Sequence, residues 1–186
     1  MYNNRIIIER LCNMNIRKAT VGEFGLVRAF YHEMTDWLDT APYGPGWKKD
    51  IYPSPEDISS ALENGELWVC EENSKYIASM IVNSRSQEEY ALVEWGVDAA
   101  QDEVLLIHAL GVLPQYHGRG IASEMVRHAI TLAKSQNKKA MRLDVLSGNL
   151  PAEKLYPKFD FRLVSELDVF YEDTGLARYK LYELAL

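Results

Sequence analysis

The stretch from Val104 to Ser123 joins an apolar run directly to a glycine-rich turn. The run Val104 to Val112 is long enough for a buried strand, and it ends before Pro114, which cannot donate a hydrogen bond to a sheet. Gly118 and Gly120 come next, and apolar residues then recur at helical spacing, at Met125, Val126, Ala129, Ile130 and Ala133. The stretch therefore predicts a strand, a tight turn and a helix in succession.

This turn has the properties of an anion site. Glycine lets the backbone turn sharply and approach a ligand closely, and the first turn of a helix has unpaired N–H groups at its positive end. A phosphate group is the expected occupant of the turn around Gly118 and Gly120. A bare Gly-x-Gly also occurs in turns that bind nothing, so this motif alone leaves both interpretations open.

Two longer motifs resemble those of a known family. The pattern Gln115-x-x-Gly118-x-Gly120 resembles the Q/R-x-x-G-x-G/A loop that binds the pyrophosphate of acetyl-CoA in the GNAT superfamily of N-acetyltransferases. The block from Asn149 to Phe161, N-L-P-A-E-K-L-Y-P-K-F-D-F, is similar to that family's N-x-x-A-x-x-L-Y-x-x-x-G-F helix. The two motifs stand in the family's order with a strand pattern between them. We therefore expect an N-acetyltransferase domain over residues 15–186, preceded by an N-terminal extension, residues 1–14.

The order of the predicted elements indicates an α/β fold, with an α+β mixed sheet flanked by helices. Strands are expected at 15–19, 66–71, 76–84, 104–112, 140–146, 162–171 and 178–184. Helices are expected after the capping residues Thr20 and Ser54, after Gly120 and after Asn149. Within residues 85–103 the apolar residues fit the two-residue period of a strand and the 3.6-residue period of a helix, so the sequence does not decide between the two. Residues 39–53 are rich in Pro, Gly and aromatics, and predict an irregular loop that either covers a site or only covers the core.

The resemblance implies a GNAT-like acyl-CoA N-acyltransferase fold with acetyl-CoA as co-substrate. In that fold two neighbouring parallel strands, here 109–112 and 140–146, separate at one end, and acetyl-CoA binds in the gap. The pantetheine arm and acetyl carbonyl would contact the backbone of Leu110, Gly111 and Val112. The residues implied around the pyrophosphate are Gln115, His117, Gly118, Arg119, Gly120, Ile121, Ala122 and Ser123. The second motif adds Asn149, Ala152 and Tyr156. His117 and Arg119 could add charge or donors, but exposed loop residues are more often only solvated.

Direct attack of a neutral amine on a thioester needs an acceptor for the amine's proton and a donor for the leaving thiolate. The resemblance implies that Tyr156 is the donor, since a phenol both donates and accepts. For the acceptor, alternation along the strand predicts that His108 shares one face with Leu110 and Val112. Some aralkylamine-type members resemble this sequence in having a histidine there, and an imidazole pKa of about 6.5 suits the role. Glu94, or water alone, is the alternative base.

Two residues depart from the family's pattern. Asp160 stands where the family usually has glycine, although Asp is among the better substitutes in a left-handed backbone conformation. Pro157 follows Tyr156 and removes a helical N–H donor, which could reorient the tyrosine hydroxyl. Both departures bear on the proton donor more than on cofactor binding.

Composition restricts the partners and the compartment. A chain of 186 residues with 47% hydrophobic content can bury its own core as one domain, and its net charge of −7 argues against nucleic acid as a partner. Cys12 and Cys70 have neither disulfide nor zinc spacing, which predicts no metal site and a cytoplasmic location. Charged residues interrupt the early run Ile6 to Ile8, so neither a signal peptide nor a membrane partner is expected.

The acceptor is expected to be an amine of a small molecule or a peptide, and the sequence does not identify it. Tyr43 and Trp47 of the loop could hold it by cation–π contact, with Glu33 or Glu94 as a carboxylate partner. Pairing of the final strands between two chains is a route to a homodimer that nothing in the sequence requires.

Two other functional classes remain as alternatives. A non-catalytic acetyl-CoA-binding module is favoured if Tyr156 proves misplaced. A dinucleotide-binding oxidoreductase could use Asp144 on the next strand as its ribose-binding acid. Two features disfavour the oxidoreductase. The dinucleotide-binding motif needs Gly or Ala at the position of Ser123, and the chain after Asp144 is too short for the second half of such a domain.

Overall fold

The computed structural model describes residues 14–186, so most of the predicted N-terminal extension, and Cys12 with it, lies outside the described residues. The strands are β1 (Asn15–Lys18), β2 (Leu67–Glu72), β3 (Lys75–Asn83), β4 (Val104–Val112), β5 (Ala140–Leu146), β6 (Arg162–Tyr171) and β7 (Gly175–Ala185). The helices are α1 (Phe24–Leu38), α2 (Pro55–Glu63), α3 (Ile121–Ser135) and α4 (Leu150–Leu155).

The strands form a seven-stranded mixed sheet in the order β1-β2-β3-β4-β5-β7-β6. The pair β4 and β5 is parallel, and every other neighbouring pair is antiparallel. The predicted α/β class and mixed sheet are confirmed.

Helices cover both faces of this sheet and bury a core on each. On one face α1 and α2 bury Val27, Phe30 and Ile58 against strands β2 to β4. On the other face α3 packs Met125 and Val126 against β3 to β5. Both predicted capping sites are present: Glu23 accepts the N–H of Thr20 at 2.7 Å, and the Ser54 hydroxyl accepts the N–H of Asp57 at 3.0 Å.

Strands β4 and β5 pair over only three residues. Their register runs from Val104 opposite Ala140 to Leu106 opposite Arg142, although β4 continues to Val112 and β5 to Leu146. The two strands therefore separate beyond Leu106 and Arg142, as the resemblance implied.

A bulge in β4 changes which residues face the gap. Ala109 has φ +49°, and the register with β3 shifts between Ile81 opposite His108 and Ser79 opposite Gly111. After this shift Leu110 and Val112 pack on the α3 side, whereas His108 has the orientation of Ile81, on the α1 and α2 side. The prediction that His108, Leu110 and Val112 share one face is therefore wrong, because the extra residue breaks the alternation.

The segment 85–103, which the sequence left undecided, is neither strand nor helix. It contains two short 3₁₀ turns, Glu88–Leu92 and Gln101–Glu103. The indole N–H of Trp95 donates to the carbonyl of Tyr90 at 3.0 Å and so closes the segment on itself. Residues 39–53 are irregular, as predicted. Within residues 14–186, no helix is both long enough and apolar enough to cross a membrane.

Candidate functional site

A cavity of about 860 Å³ lies where β4 and β5 separate. Its walls are the two strands, the glycine turn, α4 with the following 3₁₀ turn, the loop 39–53 and the turn between β6 and β7. Its size falls in the range typical of small-molecule sites.

The glycine turn presents a helix N-terminus to this cavity. Gly118 and Gly120 have φ of +74° and +79°, a left-handed conformation that favours glycine. The first hydrogen bond of α3 is donated by the N–H of Glu124 to the carbonyl of Gly120. Residues 121–123, in the first turn of the helix, line the cavity. Their N–H groups lack helical acceptors, so this end of the cavity has the donors and the dipole of an anion site.

Two of the predicted pyrophosphate residues direct their side chains elsewhere. The Gln115 amide donates to Glu33 at 2.8 Å, and the Arg119 guanidinium forms an ion pair with Glu72 at 2.5 Å, which raises the pKa of Arg119. Neither Gln115 nor Arg119 lines the cavity, whereas His117 does. A ring nitrogen of His117 lies 2.8 Å from the Val112 carbonyl.

The remaining predicted cofactor contacts converge on the same cavity. It is lined by Leu110, Gly111, Val112, Gly118, Gly120, Ile121, Ala122, Ser123, Asn149, Ala152 and Tyr156. The structure thus brings both motifs together across the gap.

Tyr156 lies in this wall at the point where α4 becomes a 3₁₀ turn, Tyr156–Phe159. Its ring packs edge-on against Phe161 with centroids 5.6 Å apart. Burial raises the pKa of the phenol well above its usual value, so the hydroxyl stays protonated and able to donate. Asp160 adopts the left-handed conformation, φ +65°, that the family's glycine would take. Pro157 stands at the start of the 3₁₀ turn, where a missing N–H leaves no helical bond unmade.

His108 lines the cavity from β4. Its Nε2 atom is buried and has no hydrogen-bond partner within residues 14–186. Burial lowers the pKa of the imidazole to about 4, so the ring is neutral near pH 7. Its free nitrogen can accept a proton, but it is a weaker base than the ordinary imidazole on which the sequence-based prediction rested. Glu94, the alternative base, is exposed and does not line the cavity.

Sequence reasoning missed an acidic and aromatic cluster at the far end of the cavity. The Asp144 carboxylate accepts hydrogen bonds from Tyr171 at 2.5 Å and from Tyr90 at 3.1 Å, and burial raises its pKa. Asp173, in the turn between β6 and β7, is also buried with a raised pKa. The available signal was a carboxylate, Asp144, inside the apolar strand 140–146, which the dinucleotide-binding alternative assigned to a ribose.

The loop 39–53 closes over this cluster. Trp47 packs edge-on against Tyr31 and Tyr52, with centroids 6.1 and 5.9 Å away. Gly46 lies so close to the β6–β7 turn that an added Cβ would stand 2.7 Å from Thr174 Cγ2. Within residues 14–186, no group of three or more His, Cys, Asp and Glu residues is placed to hold a metal ion.

Comparison with known proteins identifies relatives of the same architecture. The model of the acetyltransferase (GNAT) family matches residues 31–161. A GNAT-family acetyltransferase from Streptococcus agalactiae 2603 has a TM-score of 0.75 at 20% identity, over 93% of this chain and 95% of that one. The Arabidopsis thaliana NAA60 structure in complex with acetyl-CoA has a TM-score of 0.65 at 17% identity, over 93% and 99%. At these identities the likeness shows the fold alone.

A relative was also found by sequence. It is a Bacillus subtilis (strain 168) protein assigned as a ribosomal protein bS18-alanine N-acetyltransferase, 29% identical over 66 residues. The match covers 36% of this chain and 44% of that protein, so less than half of the relative is spanned.

Proposed function

The chain belongs to the acetyltransferase (GNAT) family, and from that premise we propose that it moves the acetyl group of acetyl-CoA to a primary amine by direct attack in a ternary complex. The observation that carries this proposal is the cavity beyond Leu106 and Arg142, where two parallel strands part. A helix N-terminus opens into one end of it, and the protonated Tyr156 hydroxyl belongs to its wall.

In this proposal the first turn of α3 holds the pyrophosphate. The N–H groups of Ile121, Ala122 and Ser123 supply donors, and the glycines keep side chains away from the phosphates. The backbone of residues 110–112 holds the pantetheine arm and the thioester. Asn149 and Ala152 contact the arm from the opposite wall, which they line.

The chemistry uses one proton acceptor and one donor. The amine nitrogen attacks the thioester carbon, a C–N bond forms and the C–S bond breaks. His108 Nε2 accepts the proton that the nitrogen loses, directly or through water, and Tyr156 gives a proton to the departing sulfur. The products are the N-acetylated amine and the free thiol of CoA.

The acceptor class follows from the charge of the cavity. Carboxylates and tyrosines at its far end suit an amine, whether of a small molecule or of a peptide. The Bacillus subtilis relative is assigned to a protein alanine, which supports a peptide, whereas the covered far end supports a small molecule.

Three broader expectations stay part of the proposal. The acetyltransferase domain spans residues 15–186, the chain works in the cytoplasm, and nucleic acid is not a partner. The net charge of −7 supports the last of these. β6 is an edge strand of the sheet, which supports a homodimer formed through it.

Calorimetry and a thiol assay test the proposed function together. The chain is titrated with acetyl-CoA and with NAD, and free thiol is then followed with a panel of amines. We expect heat with acetyl-CoA, none with NAD, and thiol release with at least one amine. Binding without release would favour a non-catalytic acetyl-CoA-binding module, and binding of NAD alone would favour the oxidoreductase.

A further inference from the structure

The far end of the cavity has carboxylates without basic partners. Asp144 is bonded to two tyrosine hydroxyls, and Asp173 is 5% exposed. Within residues 14–186, neither carboxylate forms an ion pair with Lys, Arg or His. Buried carboxylates without a counter-charge are costly, so this end of the cavity favours a cationic ligand.

The basic groups nearby form no ion pair with Asp144 or Asp173 within residues 14–186. Arg85 lines the cavity, but its guanidinium is paired with Glu66 at 2.5 Å. Lys48 lowers the pKa of Asp173 from a distance, yet it is exposed on the loop and does not line the cavity. Asp57, a third carboxylate in the lining, accepts the N–H of Ser54 at 3.0 Å. Lys158, in the 3₁₀ turn after Tyr156, is a second basic residue of the lining. In the described part of the chain, three carboxylates thus line the cavity with two basic side chains, one of which is paired with Glu66.

A buried nitrogen without a hydrogen-bond partner among the described residues lines the same cavity and is an independent indication of a ligand. The buried Nε2 of His108 has no protein partner within residues 14–186, although nearly all buried polar atoms in proteins do. His108 and Asp144 each lie two residues beyond the last paired residues of β4 and β5. A proton acceptor and a carboxylate thus flank the gap into which the proposed acceptor must reach.

The covering loop limits the shape of that acceptor. Besides its contact with Thr174, an added Cβ at Gly46 would stand 3.3 Å from Leu146 Cδ2. The loop 39–53 therefore rests directly on the β6–β7 turn and on the end of β5, above the acidic cluster. A peptide chain that continued past the acidic cluster would have to displace these contacts, whereas a small molecule that ends within the cavity would leave them in place.

We propose that the acceptor is a small aliphatic diamine, with one amino group in the gap between His108 and Asp144 and the other, as an ammonium, against Asp173. The edge-to-face rings of Tyr171 and Tyr179, 4.9 Å apart, add aromatic surface that attracts an ammonium. The nitrogen in the gap becomes the amide and CoA leaves as the thiol, while the remote nitrogen keeps its proton and charge. This inference rests on the proposed acetyl transfer.

Calorimetry with the full chain and CoA tests the inference without turnover. The probes are putrescine, n-butylamine of the same length with one amine, γ-aminobutyrate with a carboxylate in its place, and a tripeptide. We expect putrescine to bind roughly tenfold or more tightly than n-butylamine, and γ-aminobutyrate to bind most weakly. Equal binding of putrescine and n-butylamine, or tighter binding of the tripeptide, would overturn the proposal.

Matched variants locate the second ammonium. Asp173→Asn should reduce the preference for putrescine over n-butylamine by roughly tenfold. Asp168→Asn is the control, because Asp168 is exposed and pairs with Arg178 at 3.0 Å outside the cavity. An unchanged preference in Asp173→Asn would overturn the assignment of Asp173.

A parallel thiol assay with acetyl-CoA separates the two claims. Preferential putrescine binding without thiol release would refute the acetyltransferase function and leave the diamine site standing. Thiol release at equal rates with putrescine, n-butylamine and the tripeptide would support the function and refute the diamine site.

Discussion

Asp144 and His108 occupy matching positions on two neighbouring parallel strands, each two residues past the final pair of Arg142 and Leu106. Because His108 precedes the bulge at Ala109, it keeps the face of Leu106, and Asp144 keeps the face of Arg142. The two side chains are thus presented to the same side of the sheet, at the point where the strands part. At the gap between β4 and β5, the neutral imidazole of His108 can accept a proton and the carboxylate of Asp144 attracts an amine.

Removing the Tyr156 hydroxyl should slow acetyl transfer and leave acetyl-CoA binding intact. In Tyr156→Phe we expect kcat to fall by roughly 10² or more, the usual contribution of a positioned proton donor. The ring should keep its packing on Phe161, and the KM for acetyl-CoA should change little. Steady-state release of free thiol at several acetyl-CoA concentrations measures both constants.

The matched control for this variant is Tyr182→Phe. Tyr182 is also buried, at 5% exposed, and it lies in the core without lining the cavity. We expect its kcat to stay close to that of the natural chain. Equal kcat in Tyr156→Phe and Tyr182→Phe would assign the thiolate's proton to another group or to water.

His108 should make stability depend on pH in a defined window. Its native pKa is lowered to about 4 from the ordinary value of about 6.5, so between these values the unfolded chain binds more protons. Stability should therefore fall as pH drops from about 6.5 towards 4, and His108 should contribute nothing to the slope above 6.5. Burial is the largest cause of this lowered pKa; against it, a hydrogen bond with the Arg85 backbone and the charge of Asp57 raise the pKa of the ring, whereas the charge of Arg85 lowers it further. Both residues stay present in the comparison with His108→Gln.

Urea unfolding of the natural chain and of His108→Gln, at neutral pH and near pH 4, measures this contribution. The natural chain should lose on the order of 3 kcal/mol more than the variant on acidification. Parallel losses in the two proteins would mean that the imidazole has an ordinary pKa in the folded state and is not desolvated.

The sequence was sufficient where a local signal specified the structure. The apolar run to Val112, followed by Pro114 and the two glycines, predicted β4, the turn and α3, because each residue type there has few alternatives. The cap at Ser54 and the proline after it likewise predicted the start of α2.

The sequence was insufficient where a feature depends on distant residues or on an unmarked backbone change. The bulge lies at Ala109, and alanine is not a residue type that indicates a φ of +49°. The prediction that His108 shares a face of the sheet with Leu110 and Val112 was therefore wrong. The hydrogen bonds of Asp144 reach residues 54 and 27 positions away, one of them in the segment that fits both periods. Such a cluster appears only when the sheet order is known.

The glycine at the start of α3 should matter for acetyl-CoA as well as for folding. In Gly120→Ala, an alanine would have to adopt φ +79°, which costs about 1 kcal/mol and tilts the first helical N–H groups. We expect the affinity for acetyl-CoA, measured by calorimetry, to fall by roughly tenfold, since several of these donors act together.

Gly65→Ala is the control for backbone strain. Gly65 has φ +63° and lies outside the cavity, where an added Cβ would meet only the mobile end of Lys18 at 3.3 Å. Both variants should lose similar stability, and only Gly120→Ala should weaken acetyl-CoA binding. Equal acetyl-CoA affinities in the two variants would remove the helix N-terminus from the proposed site.

The contact between Gly46 and Thr174 should control access to the acidic end of the cavity. In Gly46→Ala the new methyl would stand 2.7 Å from Thr174 Cγ2, so the loop 39–53 must move away from the β6–β7 turn. We expect a weaker affinity for a small amine and a gain in binding of longer amines, both measured by calorimetry with CoA present.

Adding Thr174→Ser to Gly46→Ala removes the opposing methyl and keeps the hydroxyl that is hydrogen-bonded to Tyr179 at 2.8 Å. The double variant should regain most of the small-amine affinity, because the shortest contact is gone and only the strain of alanine at φ +79° and a 3.3 Å contact with Leu146 Cδ2 remain. A double variant no better than Gly46→Ala would show that the glycine is needed for its backbone conformation and that the contact with Thr174 does not close the site.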